Sequence, residues 1–94
     1  MEIHIVEISP QAKKALRKVP SYILDKFEGW VKAVENEGLS QIQRIPGYHD
    51  ESLKGKRSGQ RSIRLNKAYR AIYILKNRSE VEFLYVEEVN KHEY

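Results

Sequence analysis

The 94-residue chain contains no cysteine. That excludes a disulfide framework and any thiolate metal site. Histidine is scarce: His4, His49 and His92 lie far apart, and no pair has zinc-ligand spacing. No metal and no cofactor is therefore expected. Apolar runs extend only a few residues, too short for a membrane-spanning helix. The opening Met-Glu-Ile-His-Ile-Val lacks the basic start and long apolar stretch of a signal peptide, so a soluble, cytoplasmic protein is the expectation. There is no Gly-rich phosphate loop, internal repeat or low-complexity segment. The length suits one domain, 1–94, with a small core.

One further absence is local. Residues 52–79 contain no Asp or Glu, yet they carry Lys54, Lys56, Arg57, Arg61, Arg64, Lys67, Arg70, Lys76 and Arg78. This stretch is +9 in a chain of +4, so the remainder is −5. The charges alternate with strand-forming residues and do not form a tail. A block of one sign on a folded element suits a polyanion, and nucleic-acid phosphate is the commonest.

Residues 2–8, β-branched and mostly alternating, read as a strand. Ser9-Pro10 reads as a helix start, a hydroxyl N-cap followed by proline at the first helical position. A short basic helix runs to about Val19, with Ala12, Ala15, Leu16 and Val19 on one face. Pro20-Ser21 starts a second helix. There Ile23, Phe27, Trp30, Val31 and Val34 form an apolar stripe, with Trp30 read as core. Gly38 closes that helix. Residues 39–60 read as irregular, with Pro46-Gly47, Gly55 and Gly59 as turn signals. Three strands follow, over 61–66, 68–76 and 81–89, joined by turns short enough for an antiparallel meander. The expected fold class is α+β: an N-terminal strand, then a two-helix hairpin packed on one face of a small antiparallel sheet. Alternation leaves open which sheet face meets the helices, because Tyr69, Ala71, Tyr73 and Leu75 share one face and Arg70, Ile72, Ile74 and Lys76 the other.

Three residue types could carry chemistry. His92, beside Lys91, Glu93 and Tyr94, titrates near neutral pH and can move a proton either way. His4 reads as structural and His49, in a Pro-Gly loop, as exposed. Arg61, Arg64 and Arg70 can make paired hydrogen bonds to phosphate and stabilise charge that develops there. Glu51, just before the acid-free block, is a carboxylate that nearby cations keep ionised and available as a base, or else a surface ion-pair partner.

Several short motifs carry a resemblance. Leu53-Lys54-Gly55, then Gly59-Gln60-Arg61-Ser62-Ile63-Arg64-Leu65, then Tyr69-Arg70-Ala71-Ile72-Tyr73, then His92-Glu93-Tyr94, together resemble the RelE/ParE superfamily of bacterial toxins. These are the toxic halves of type II toxin–antitoxin modules. The HigB-like and YoeB-like ribosome-dependent mRNA interferases are the most similar branches. The helix hairpin and strand order fit the RelE-like fold over the full length. The resemblance implies a metal-independent endoribonuclease that cuts mRNA in the ribosomal A site. It implies Arg70 as the arginine that stabilises the transition-state phosphate, His92 as general acid and Glu51 as a YoeB-type general base. Tyr94 is the aromatic that helps hold the substrate, although Glu93 separates it from His92 where YoeB-like chains have the two adjacent. Lys54, Lys56, Arg57, Arg61 and Arg64 are the expected RNA contacts. A cognate antitoxin is the implied protein partner, and the toxin–antitoxin complex an implied binder of operator DNA. A ParE-like gyrase inhibitor on the same fold, or an inactive relative that only binds an antitoxin, are the alternatives.

Overall fold

The computed structural model describes residues 2–88. Its first strand, β1 (Ile5–Ile8), leads into α1 (Pro10–Leu16) through Ser9. The Ser9 hydroxyl accepts from the Ala12 amide at 3.0 Å and donates to the Leu84 carbonyl at 2.7 Å, so one side chain caps the helix and fastens it to a distant strand. Helix α1 stops at Leu16, short of the expected Val19, because Pro20 disfavours helical backbone at the residue before it. Helix α2 (Ser21–Glu37) follows and ends at Gly38.

Gly38 has φ 92°, a conformation that side-chain-bearing residues avoid. Its buried backbone also lies against Glu2: a Cβ there would stand 2.1 Å from the Glu2 Cγ. The chain turns at once into a third short helix, α3 (Leu39–Gln43), inside the span 39–60 that the sequence pattern reads as irregular. Leu39 and Ile42 are buried, so this turn is held by two apolar anchors and not by helix propensity. Two 3₁₀ turns, Pro46–Tyr48 and Gly55–Arg57, flank a two-residue strand, β2 (Glu51–Ser52). Then come β3 (Gln60–Arg64), β4 (Tyr69–Leu75) and β5 (Glu80–Glu88).

The five strands form one sheet in the order β1-β5-β4-β3-β2. Strands β2 to β5 pair antiparallel, as expected. The expectation of a wholly antiparallel sheet is corrected at one edge, where β1 runs parallel to β5 with Val6 opposite Val81 and Ile8 opposite Phe83. The helices carry the chain from β1 to the far edge of the sheet, and the meander then returns it to lie beside its own first strand. Alternation within β1 shows which face is buried but says nothing about the direction of its neighbour.

The face that meets the helices is the one bearing Tyr69, Ala71 and Tyr73. Ala71 and Tyr73 are fully buried with Ile23, Phe27, Trp30 and Val34 of α2. Trp30, Phe27, Tyr73 and Phe83 form an aromatic centre, with Phe27–Phe83 edge to face at 4.7 Å and Trp30–Phe83 at 5.1 Å. The indole N–H of Trp30 finds no acceptor among the described residues, so its ring packing holds it.

A β-bulge resets the phase of β5. Tyr73 pairs with Phe83 but Ile72 pairs with Tyr85, which leaves Leu84 as the extra residue. Phe83 and Val86 therefore both face the helices, while Tyr85 and Glu87 are turned to the opposite, open face. The open face carries Arg64, Arg70 and Glu87 in one row across β3, β4 and β5, and Glu51, Ser62, Ile72 and Tyr85 in the next.

Candidate functional site

A shallow depression of about 170 Å³, smaller than a typical small-ligand site, lies on the open face near the β3–β4 turn. It is lined by His49, Glu51, Ser62, Arg64, Asn66, Lys67, Tyr69 and Arg70. Three cations and one carboxylate thus share its lining. Arg64 and Arg70 are directly opposite each other on adjacent strands, a like-charge arrangement that the Glu87 carboxylate on the other side of Arg70 relieves only in part. The intervening turn is built by Asn66, whose side-chain oxygen accepts from the amides of Ala68 at 2.7 Å and Tyr69 at 2.9 Å. That holds Lys67 at the rim.

Glu51 is exposed, lies opposite Ser62 and makes no ion pair among the described residues. The surface-bridge alternative for it is therefore not what the structure displays. His49, set aside as merely exposed, lines the same depression two residues upstream. It has φ 46° and ψ 49°, an uncommon left-handed backbone for a side-chain-bearing residue. Nothing in the sequence pattern marks it, because its proximity to Arg70 arises only when β2 pairs with β3.

Asp50, between them, points the other way. Its carboxylate is fully buried, pairs with Arg61 Nε at 2.7 Å and accepts from the Tyr73 hydroxyl at 2.5 Å. Gln43 donates to the same hydroxyl at 3.1 Å. Burial first, and then the Asp50 charge, push the Tyr73 phenol well above its usual range. This network clamps the segment that carries His49 and Glu51 to the helix side of β3. Arg61 belongs to it and does not line the depression.

Arg57 is also engaged inside the protein. It forks onto Glu87 at 2.9 Å and 3.3 Å and donates to the Tyr85 hydroxyl. Arg70 Nε donates to the same Glu87. Burial raises the Glu87 carboxyl, but the hydrogen bonds from Arg57 and Arg70 outweigh it and leave the group below its ordinary value. With Lys76 paired to Glu7 at 2.5 Å, four of the nine cations in the block have ion-pair partners in the chain. Among the described residues the other five, Lys54, Lys56, Arg64, Lys67 and Arg78, have none, and all five are exposed. Lys54 and Lys56 lie beyond the depression, at the 3₁₀ turn before β3. The assignments to His92 and Tyr94 fall outside the described residues.

This mixed five-stranded sheet with its helices on one face is the fold of RelE/ParE-like toxins. It is similar to the toxin–antitoxin complex RelBE2 of Mycobacterium tuberculosis, with a TM-score of 0.68 and 19% identity over 93% of this chain and 99% of that one. YafQ of E. coli matches with a TM-score of 0.71 and 19% identity over 88% and 90% of the two chains. The YoeB dimer of Staphylococcus aureus matches at 0.64, with 16% identity over 96% and 100%. At these identities the likeness is one of fold. YafQ and the staphylococcal YoeB are also known in complexes with the antitoxins DinJ and YefM. No protein-family model matches the chain, and no curated protein sequence matches it significantly. Among the described residues, no helix is long and apolar enough to cross a membrane.

Proposed function

We propose that this chain is the toxin of a type II toxin–antitoxin module and an endoribonuclease that cuts mRNA on the ribosome. The observation that carries the reading is the depression itself, whose lining Arg64, Lys67 and Arg70 share with Glu51, a carboxylate without an ion-pair partner among the described residues. Cations in a cleft concentrate phosphate, and a carboxylate among them has no phosphate-binding use. It does have a use as a base.

In the proposed reaction Glu51 takes the proton of a ribose 2′-hydroxyl. The 2′-oxygen bonds to the adjacent phosphorus, and the bond from phosphorus to the next 5′-oxygen breaks. Arg70 stabilises the negative charge that grows on the non-bridging oxygens. A histidine protonates the leaving 5′-oxygen, leaving a 2′,3′-cyclic phosphate and a free 5′-hydroxyl. His92 is the acid the resemblance implies, and His49 is a histidine that lines the depression. Lys54 and Lys56 extend the contact along the RNA backbone, and an antitoxin masks the basic face until it is released.

The test is expression of the chain followed by primer extension on cellular mRNA, beside a gyrase supercoiling assay. New 5′ ends within translated messages, with supercoiling untouched, are expected. Inhibited gyrase with intact messages would overturn the nuclease reading. His49→Ala and His92→Ala, assayed separately, identify the acid: its loss lowers cleavage by about 10²-fold or more.

A further inference from the structure

Arg70 is the residue whose orientation matters most to the reaction above, and it stands on an exposed sheet face where a long side chain would ordinarily sample several rotamers. Here it is restrained at one atom. Its Nε donates to Glu87 Oε2, and among the described residues its two Nη groups donate to nothing. Glu87 is itself restrained. Arg57 forks onto both of its oxygens, Nη2 to Oε1 at 2.9 Å and Nη1 to Oε2 at 3.3 Å. Arg57 is in turn tied to the Tyr85 hydroxyl, which donates to Gln60 Oε1 at 3.2 Å. The chain of contacts runs from the 3₁₀ turn at Gly55–Arg57, across β5, to the guanidinium on β4. Each link depends on the bulge at Leu84, which turns Tyr85 and Glu87 onto the face where Arg70 stands.

We infer that Arg57 and Glu87 are positioning residues: they hold Arg70 by its Nε so that its Nη edge is presented to a phosphate in the depression. The inference rests on the reading of Arg70 as the charge-stabilising group. It removes Arg57 from the set of RNA contacts and gives Glu87, a residue with no apparent place in an RNA-binding face, a defined task. A guanidinium fixed before substrate arrives stabilises developing charge without first reorganising. Only a carboxylate suits the Glu87 position. It has to accept from one arginine fork and one further Nε–H, and an amide would turn its NH₂ toward one of those donors.

Glu87→Gln separates positioning from charge. It makes the face more positive, so a role for Glu87 as a mere competitor of phosphate predicts faster cleavage and tighter ribosome binding. Positioning predicts a single-turnover rate lower by about 10²-fold with ribosome affinity unchanged or higher, because small misplacement of a catalytic group costs that much. Arg57→Lys keeps the charge and loses the fork, and is expected to lower the rate about 10-fold on the same grounds. Nitrogen-15 spectra of the arginine side chains supply a readout that does not need activity. The Arg70 Nε–H signal, identified by its loss in Arg70→Ala, should exchange slowly with water in the native protein and rapidly in both variants. If the native protein cuts no mRNA, the proposed function fails and this signal alone decides the positioning. An Arg70 Nε–H unchanged by Glu87→Gln, or a cleavage rate that rises in that variant, overturns the inference.

Discussion

Two arginines of the same strand-rich block do different work, and burial of the partner decides which. Arg64 is exposed and has no ion-pair partner among the described residues, so its charge is available to a ligand. Arg61 meets a carboxylate that has no solvent exposure. Removing a partner from a buried carboxylate leaves a charge that water cannot reach. Arg61→Ala is therefore expected to cost about 3 kcal/mol of folding stability, toward the lower end for broken buried pairs because Arg61 is itself 30% exposed. Urea denaturation measures it, and an unchanged midpoint would return Arg61 to the list of surface cations. Arg64→Ala should leave that midpoint nearly unmoved. The sequence displays both residues with equal prominence. What distinguishes them is Asp50, eleven positions away from Arg61, and no local pattern announces that this Asp turns inward while Glu51 turns outward. The aromatic core was easier: the spacing of Ile23, Phe27, Trp30 and Val34 states the buried face of α2 directly, and all four are fully or almost fully buried.

Among the elements, those with a strong period were legible and those fixed by tertiary contact were not. Helix α2 and strands β3 to β5 stand within about two residues of their expected bounds. The parallel edge and the bulge were not readable, since neither changes the alternation within one strand. Helix α3 is not legible because tertiary contacts hold it, the buried Leu39 and Ile42 together with hydrogen bonds at its start. Glu2 accepts from the Ser40 amide at 3.0 Å and from the Ser40 hydroxyl, and the Leu39 amide donates to the Ile3 carbonyl at 2.8 Å. The hydrogen bond from the Ser40 side chain, then that from its backbone, lower the Glu2 carboxyl from 4.5 to about 2. A carboxyl depressed on folding stabilises the native state above its unfolded value and loses that contribution as pH falls through the folded one. Stability should therefore decline between pH 4.5 and about 2, and the decline should be shallower in Glu2→Gln, as denaturation across that range would show. An identical slope would mean that the cap does not form. Gly38→Ala attacks the same junction from the other side. Its positive φ and its contact with Glu2 both oppose a side chain, and a loss of about 1–3 kcal/mol is expected from the backbone strain alone.

At the scale of the whole molecule, charge is segregated. The acid-free block folds into β3, β4 and the turns around them, and its four internal pairs leave five exposed cations distributed about the depression, the Gly55–Arg57 turn and the β4–β5 turn. The block was visible in sequence as a sum. Its division into structural and available charges required the sheet. If the available charges meet RNA phosphate, affinity should fall linearly with salt on a logarithmic scale through counterion release. Lys54→Gln with Lys56→Gln should reduce that slope by about 2, one unit per phosphate contact. The same slope in the double variant would mean that RNA does not follow the path past the Gly55–Arg57 turn.

The central claim is that Arg70 and its neighbours perform phosphoryl-transfer chemistry on RNA held by the ribosome. A shallow face on so small a domain is poorly suited to force an in-line geometry on free RNA, and the ribosomal A site can supply it. The most direct measurement is the single-turnover cleavage rate of mRNA on programmed ribosomes and of the same RNA alone, for the native protein and for Arg70→Ala. Fast cleavage on the ribosome, slow or undetectable cleavage of naked RNA, and a loss of about 10²-fold or more in Arg70→Ala with ribosome binding preserved are predicted. Equal cutting of free and ribosome-bound RNA, or full activity in Arg70→Ala, would contradict the account.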